Sequence, residues 1–169
     1  MRERVFNILC VVILAITCVS CTKMSNGTEQ VKDVPEMQLE YTVDGEPYQM
    51  SILSGTSSWS IDNRDGTITR EETDSPNPLD AAGHLPEIVK IVDLEALKIN
   101  FSLTPDSYTV RRWKDSYIGN AQAYEDYYEV VEILDNTITL ANDGQGYVYE
   151  VHATWSQGNA YYAFHITFT

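Results

Sequence analysis

Residues 61 to 72 read IDNRDGTITREE, a stretch rich in side-chain oxygens with one glycine near its middle, in the manner of a calcium loop. An EF-hand loop places oxygen ligands at positions one, three, five, seven, nine and twelve and a glycine at six. With Gly66 at six, Asn63, Asp65, Thr69 and Glu72 fall on three, five, nine and twelve. Position one is then Ile61, which has no side-chain oxygen, and Asp62 is one residue out of register. The flanks are not helical either: Ser-Ser-Trp-Ser precedes the loop, and Pro76 and Pro78 follow it. A hairpin is the simpler reading. Trp59 and Ile61 alternate inward, Asn63-Arg64-Asp65-Gly66 turns, and Ile68 returns, with Asp-Gly as a strong turn pair. Asp62, Asp65 and Glu72 are the calcium alternative to that turn.

The second candidate is a pair of histidines in the C-terminal hairpin. Two alternating runs, Tyr147–Trp155 and Ala160–Phe168, flank Ser156-Gln157-Gly158-Asn159. A two-residue turn at Gly158-Asn159 suits the positive φ of a primed turn. That register sets Tyr149, Val151, Ala153 and Trp155 on one face with Phe168, Ile166, Phe164 and Tyr162. Glu150, His152, Thr154 and Ser156 share the other face with Thr167, His165, Ala163 and Tyr161. His152 and His165 then oppose each other, about 5 Å apart at Cβ, where they could share a metal ion with Glu150 as the nearest third ligand. The plainer reading is two polar residues on a solvent-facing sheet. Tyr161, beside them on that face, is a candidate binding residue, because tyrosine joins an apolar ring to a polar tip. His84 lies in a Gly-His-Leu-Pro loop with no evident partner.

Nothing in the chain spells out catalysis. There is no G-x-S-x-G elbow, no glycine-rich phosphate loop and no dinucleotide fingerprint. Adjacent carboxylates such as Glu71/Glu72 and Glu125/Asp126 are expected in so acidic a chain. The expectation is a non-enzymatic protein with no cofactor.

The elements that position these residues begin with an N-terminal leader. A basic MRER start, an apolar run from Val5 to Val19 and a cysteine at 21 form a bacterial lipoprotein signal. The apolar run is 15 residues, short of the roughly 20 a spanning helix needs. Its lipobox, Cys18-Val19-Ser20-Cys21, departs from the usual leucine at the first position. Residues 1–20 are expected to be removed, and the Cys21 thiol to carry a diacylglyceryl anchor on the outer face of the cytoplasmic membrane. Residues 21–36 read as a flexible tether, and 37–169 as the folded domain. The only cysteines are Cys10, Cys18 and Cys21, so the domain has no disulfide, thiolate metal site or cysteine nucleophile and must stand on its core.

The whole chain of 169 residues carries −14. The signal contributes a net +1 through Arg2, Glu3 and Arg4, so the mature protein carries −15. That balance argues against nucleic acid and against lying flat on anionic lipid. From Met37 onward, short alternating runs rich in Tyr, Val, Ile and Thr recur between Gly, Asn, Asp and Pro. The expected strands are Gln38–Val43, Tyr48–Leu53, Ser57–Ile61, Thr67–Glu71, Ile88–Val92, Leu97–Leu103, Tyr108–Trp113, Tyr127–Leu134, Thr137–Ala141, Tyr147–Trp155 and Ala160–Phe168. So many strands predict an all-β antiparallel sandwich of immunoglobulin-like type. Asp74–Glu87 and Lys114–Glu125 are left as long loops able to recognise something.

Several short motifs punctuate this pattern, each occurring once: Gly55-Thr56-Ser57-Ser58-Trp59, Asp74-Ser75-Pro76-Asn77-Pro78-Leu79, and Pro105-Asp106-Ser107 running to Trp113. The last is Tyr147-Val148-Tyr149-Glu150-Val151-His152-Ala153-Thr154-Trp155 followed by Tyr161-Tyr162-Ala163-Phe164. As a set, over roughly residues 54–168, the chain resembles a family of Gram-positive surface lipoproteins with no assigned activity. The resemblance implies a small extracytoplasmic β domain. The expected role is therefore non-catalytic binding to an envelope protein or cell-wall component, with a cation-responsive surface module as the alternative.

Overall fold

The computed structural model describes residues 31–90 and 94–168. The leader, Cys21 and the first part of the expected tether lie outside the described residues, as do positions 91 and 92 of the expected strand Ile88–Val92. The strands are β1 (Met37–Val43), β2 (Glu46–Ile52), β3 (Ser54–Asp62), β4 (Ile68–Thr73), β5 (Glu87–Lys90) and β6 (Ala96–Phe101). They continue as β7 (Ser107–Lys114), β8 (Glu129–Val131), β9 (Ile133–Leu134), β10 (Thr137–Thr139), β11 (Tyr147–Trp155) and β12 (Gly158–Phe168). Among the described residues, two short helices, α1 (Pro78–Ala81) and α2 (Ala121–Asp126), complete the set with 3-10 turns at Ala82–His84 and Asp115–Tyr117.

Two sheets pack face to face, as the alternating pattern predicts. One has the order β2-β1-β6-β10-β9, the other β4-β3-β12-β11-β7-β8 with β5 also on β12. All pairings are antiparallel except β5 on β12, which is parallel. Turns follow their chemistry: Asp44-Gly45 and Asp135-Asn136 both take positive φ at two successive residues, as a primed two-residue turn demands. The expected strand Tyr127–Leu134 divides at Glu132 into β8 and β9, which belong to different sheets. The chain crosses between sheets there, just as it does at Leu53 between β2 and β3.

Odd-numbered β11 residues and even-numbered β12 residues fill the space between the sheets. Tyr149, Val151, Tyr162 and Phe164 are all essentially inaccessible, in one core with Trp59 of the same sheet and Leu39, Leu97 and Ile99 of the other. Trp59 meets Trp155 edge to face at 5.6 Å, and Tyr149 stacks on Phe164 at 5.1 Å. This apolar burial is the main stabilising term in a domain without disulfides.

The expected register of the C-terminal hairpin is corrected. Trp155 pairs with Gly158 and Tyr147 with Ile166, so the turn is Ser156-Gln157 and each residue's partner lies four positions from the expected one. An even shift leaves every side chain on its expected face, which is why the core assignment holds while the pairings do not. Gly158 serves close approach instead of turning: a Cβ there would stand 1.9 Å from the Ser58 carbonyl oxygen on β3.

Residues 31–36, expected in the tether, are docked on the core. Val31 and Val34 pack against the core, and the Val31 carbonyl accepts from Trp59 Nε1 at 3.3 Å and from Gln157 Nε2 at 3.0 Å. The Tyr162 hydroxyl donates to the Pro35 carbonyl. These buried donors need acceptors, and residues 31–36 supply them, so this stretch belongs to the folded domain.

Candidate binding site

The outer face of the β7–β11–β12 strands carries three cross-strand rows: Thr109–His152–Tyr161, Arg111–Glu150–Ala163 and Trp113–Val148–His165. Much of this face is covered, contrary to the sequence reading, although Thr109 and Thr154 stay exposed. The segments expected as loops fold over it, and Leu79, Ala82, Trp113, Ala123 and Val148 form a second, smaller core. Each covering helix is started by an asparagine cap, as sequence chemistry favours: Asn77 Oδ1 accepts from Asp80 N at 3.0 Å, and Asn120 Oδ1 from Ala123 N at 3.3 Å. Pro78 opens α1, where its missing N–H costs nothing.

In the middle row Glu150 is only 4% exposed. A carboxylate so buried must be paired, and Arg111 Nη2 donates to its Oε2. The Tyr124 hydroxyl lies 3.2 and 3.3 Å from the two Glu150 oxygens and accepts from Arg111 at 3.0 Å. The guanidinium also sits 5.3 Å from the Trp113 ring centroid and 5.1 Å from those of Tyr124 and Tyr128. Burial works against the Arg111 charge, but bonding to Glu150 more than offsets it and its pKa is raised. Burial, then the Glu150 charge, pushes the Tyr124 phenol up to about 12, so at neutral pH it is a hydrogen-bond donor.

Beside this network lies a pocket of about 660 Å³, inside the range typical of small-ligand sites. Its walls are Ser54–Thr56 of β3, Ser75–Pro78, His84–Pro86, Tyr124, Glu150, Tyr161 and Ala163. It opens where β12 changes partner. Antiparallel pairing with β3 reaches Tyr162↔Ser54, and parallel pairing with β5 begins at His165↔Glu87. Ala163 and Phe164 lie between the two. The Pro86 carbonyl accepts from His165 N at 2.9 Å at the start of β5. On the other side Ser75 N donates to Thr56 Oγ1 at 3.2 Å, and Gly55 makes room for this closure, since a Cβ would stand 2.8 Å from Ser75 Oγ.

No family model matches the chain, and no curated protein or solved structure matches it either. The site is therefore read from its own geometry.

The candidates from sequence are dispersed. His152 faces Tyr161, not His165, and the two rings stack 4.1 Å apart at 6°. His165 faces Val148 and holds Asp115 through Nε2 at 2.9 Å; it lies roughly 13 Å along the strand from the position opposite His152. The shared-metal arrangement of His152 and His165 is thus replaced. Residues 63–66 form the expected hairpin turn. Asp62 Oδ1 accepts from Arg64 N at 2.8 Å and Asp65 Oδ1 from Thr67 N at 2.9 Å. Glu72 pairs with Ser58, well up β4 from that turn, so Asp62, Asp65 and Glu72 do not converge. Among the described residues no group of three or more His, Cys, Asp or Glu is placed to hold a metal ion. Tyr161 does line the pocket. Sequence reasoning missed Arg111 and Tyr124 and gave Glu150 only a metal role. The available signal was Glu150 itself, the one acid in the strand YVYEVHATW.

Proposed function

We propose that this protein is a non-catalytic binding module, anchored through Cys21 to the outer face of the cytoplasmic membrane, whose pocket beside Glu150 and Tyr161 receives a small ligand from the envelope. The pocket carries the reading. Apolar walls with a few converging polar groups are the usual make-up of a small-molecule site. Here Pro76, Pro78, Leu85 and Pro86 supply the apolar wall and Tyr124, Glu150 and Ser75 the polar groups. The leader sequence supports the anchor, and the resemblance of the motif set to that of surface lipoproteins supports the location. A non-catalytic role is supported by the sequence, which carries no catalytic motif; in the pocket Thr56 and Ser75 bond each other at 3.1 Å.

Two measurements test this. Affinity selection from a cell-envelope extract should retain a small molecule on the wild type and lose it on Ala163→Trp, which fills the pocket; equal retention by both would refute the pocket. Metabolic labelling with an alkyne fatty acid should mark the wild type and not Cys21→Ser, and an unlabelled wild type would refute the anchor.

A further inference from the structure

We infer that the pocket selects a compact apolar body carrying one protonated amine, with the ammonium at Glu150 and the apolar part against Tyr161 and the proline wall. This rests on the reading of the pocket as a ligand site and names the ligand's chemistry.

Charge complementarity decides the sign. Glu150 is the only acid among the lining residues, and neither lysine nor arginine lines the pocket. Arg111, which pairs with Glu150, is not a wall residue, so an incoming group meets the carboxylate first. A carboxylate has about four acceptor positions. Arg111 uses one on Oε2. The single Tyr124 proton is shared between the two oxygens at 3.2 and 3.3 Å, which leaves Oε1 able to accept more. An anion here would be desolvated beside a like charge, because Arg111 is already paired with that carboxylate and is no wall residue, and His84 is the one basic side chain on the wall. An ammonium would gain a charge-assisted hydrogen bond and the π-face of a lining tyrosine. The chain's net charge of −14 favours cation encounter over the same path.

Apolar contact comes from groups whose shape is set by the fold. Pro76, Pro78 and Pro86 have fixed rings, and Tyr161 is held by its stack on His152. Little conformational freedom is lost on binding such a wall.

The probes are phenethylamine, phenethyl alcohol and hydrocinnamate, which share a phenyl-alkyl body and carry a positive, neutral and negative head. Each is titrated into the full chain at neutral pH and followed by the Ala163 methyl and Tyr161 ring resonances. The expected order is amine first, tighter than the alcohol by about tenfold, with the carboxylate weakest. Glu150→Gln should erase the amine's advantage, and Tyr161→Ala should weaken amine and alcohol alike. Should Glu150→Gln not fold, added salt must weaken the amine and leave the alcohol unchanged in the wild type. Equal binding of amine and alcohol, or preference for the carboxylate, overturns the charge selection while keeping the pocket. Failure of all three to perturb Ala163 or Tyr161 overturns this inference; failure of the pocket itself is read separately, from equal retention by wild type and Ala163→Trp.

Discussion

The Tyr161 ring lies flat on the His152 imidazole, centroids 4.1 Å apart and 6° from parallel. The stack occupies one face of the imidazole, and His165 is committed to Asp115 on another row. The hairpin register therefore uses both histidines structurally. Zinc or calcium should leave the melting curve of the domain unchanged relative to chelator. A ligand at a hundred times its Kd would add about 2.7 kcal/mol, so a metal-dependent rise in Tm would refute this arrangement.

The same stack gives a pH dependence. Burial, with the Arg111 charge adding to it, lowers the His152 pKa below 6.5. The unfolded chain then takes up its proton first as pH falls. The stability contributed by the neutral ring is complete above about 6.5 and declines as pH drops through the lower folded value. Tyr161, Thr109 and Arg111 are the groups around it on this face. Wild-type Tm should fall between about pH 7.5 and pH 5 by on the order of one or two degrees more than that of His152→Gln. Parallel profiles would show that His152 does not carry the effect.

Glu150 and Arg111 form the buried charge pair of the outer face, with Glu150 4% exposed. Glu150→Ala leaves a guanidinium enclosed by Trp113, Tyr124 and Tyr128 without its anion. Urea unfolding should show a loss of roughly 3 kcal/mol. Arg111→Met with Glu150→Leu, which removes both charges, should recover much of it. If the double variant is as unstable as the sum of the single ones, the pair is not the coupled unit described here.

The two-layer fold was legible because alternation with period two is a strong signal when one face is buried. Tyr149, Val151, Tyr162 and Phe164 were assigned inward and are inward. Alternation cannot, however, distinguish registers that differ by an even number. Gly158 and Asn159 looked like turn residues, whereas the lack of a Cβ at Gly158 serves contact with β3. The helical cover was illegible for a different reason. The α1 and α2 helices span four and six residues, too short to show a 3.6-residue period. Their caps, Asn77 and Asn120, with Pro78 at the start of α1, were the local marks. Without that cover, Glu150 read as a surface acid and Arg111 and Tyr124 had no visible reason to meet it. The start of the domain was illegible because residues 31–36 dock through backbone carbonyls, which every sequence has, and through two valines, Val31 and Val34, too few to show a period.

Gly158 and Gly146 separate the register from the outer-face contacts. At Gly158 a Cβ would meet the Ser58 carbonyl oxygen at 1.9 Å and its carbon at 2.9 Å, both main-chain atoms of β3. Neither can move without breaking the β3–β12 ladder, where Gly158 pairs with Trp59. Gly158→Ala should therefore destabilise by about 3 kcal/mol or more, in the range of severe backbone and overpacking changes. At Gly146 the nearest atom is Asp115 Oδ2 at 2.0 Å, the end of a side chain that can rotate. Gly146→Ala should cost less in stability and instead displace Asp115 from His165, seen as a change in the His165 ring chemical shifts by NMR. Equal losses from the two substitutions, with the His165 ring shifts unchanged, would mean that Gly158 is not pinned by β3 and that the hairpin register rests on the Ser156-Gln157 turn alone.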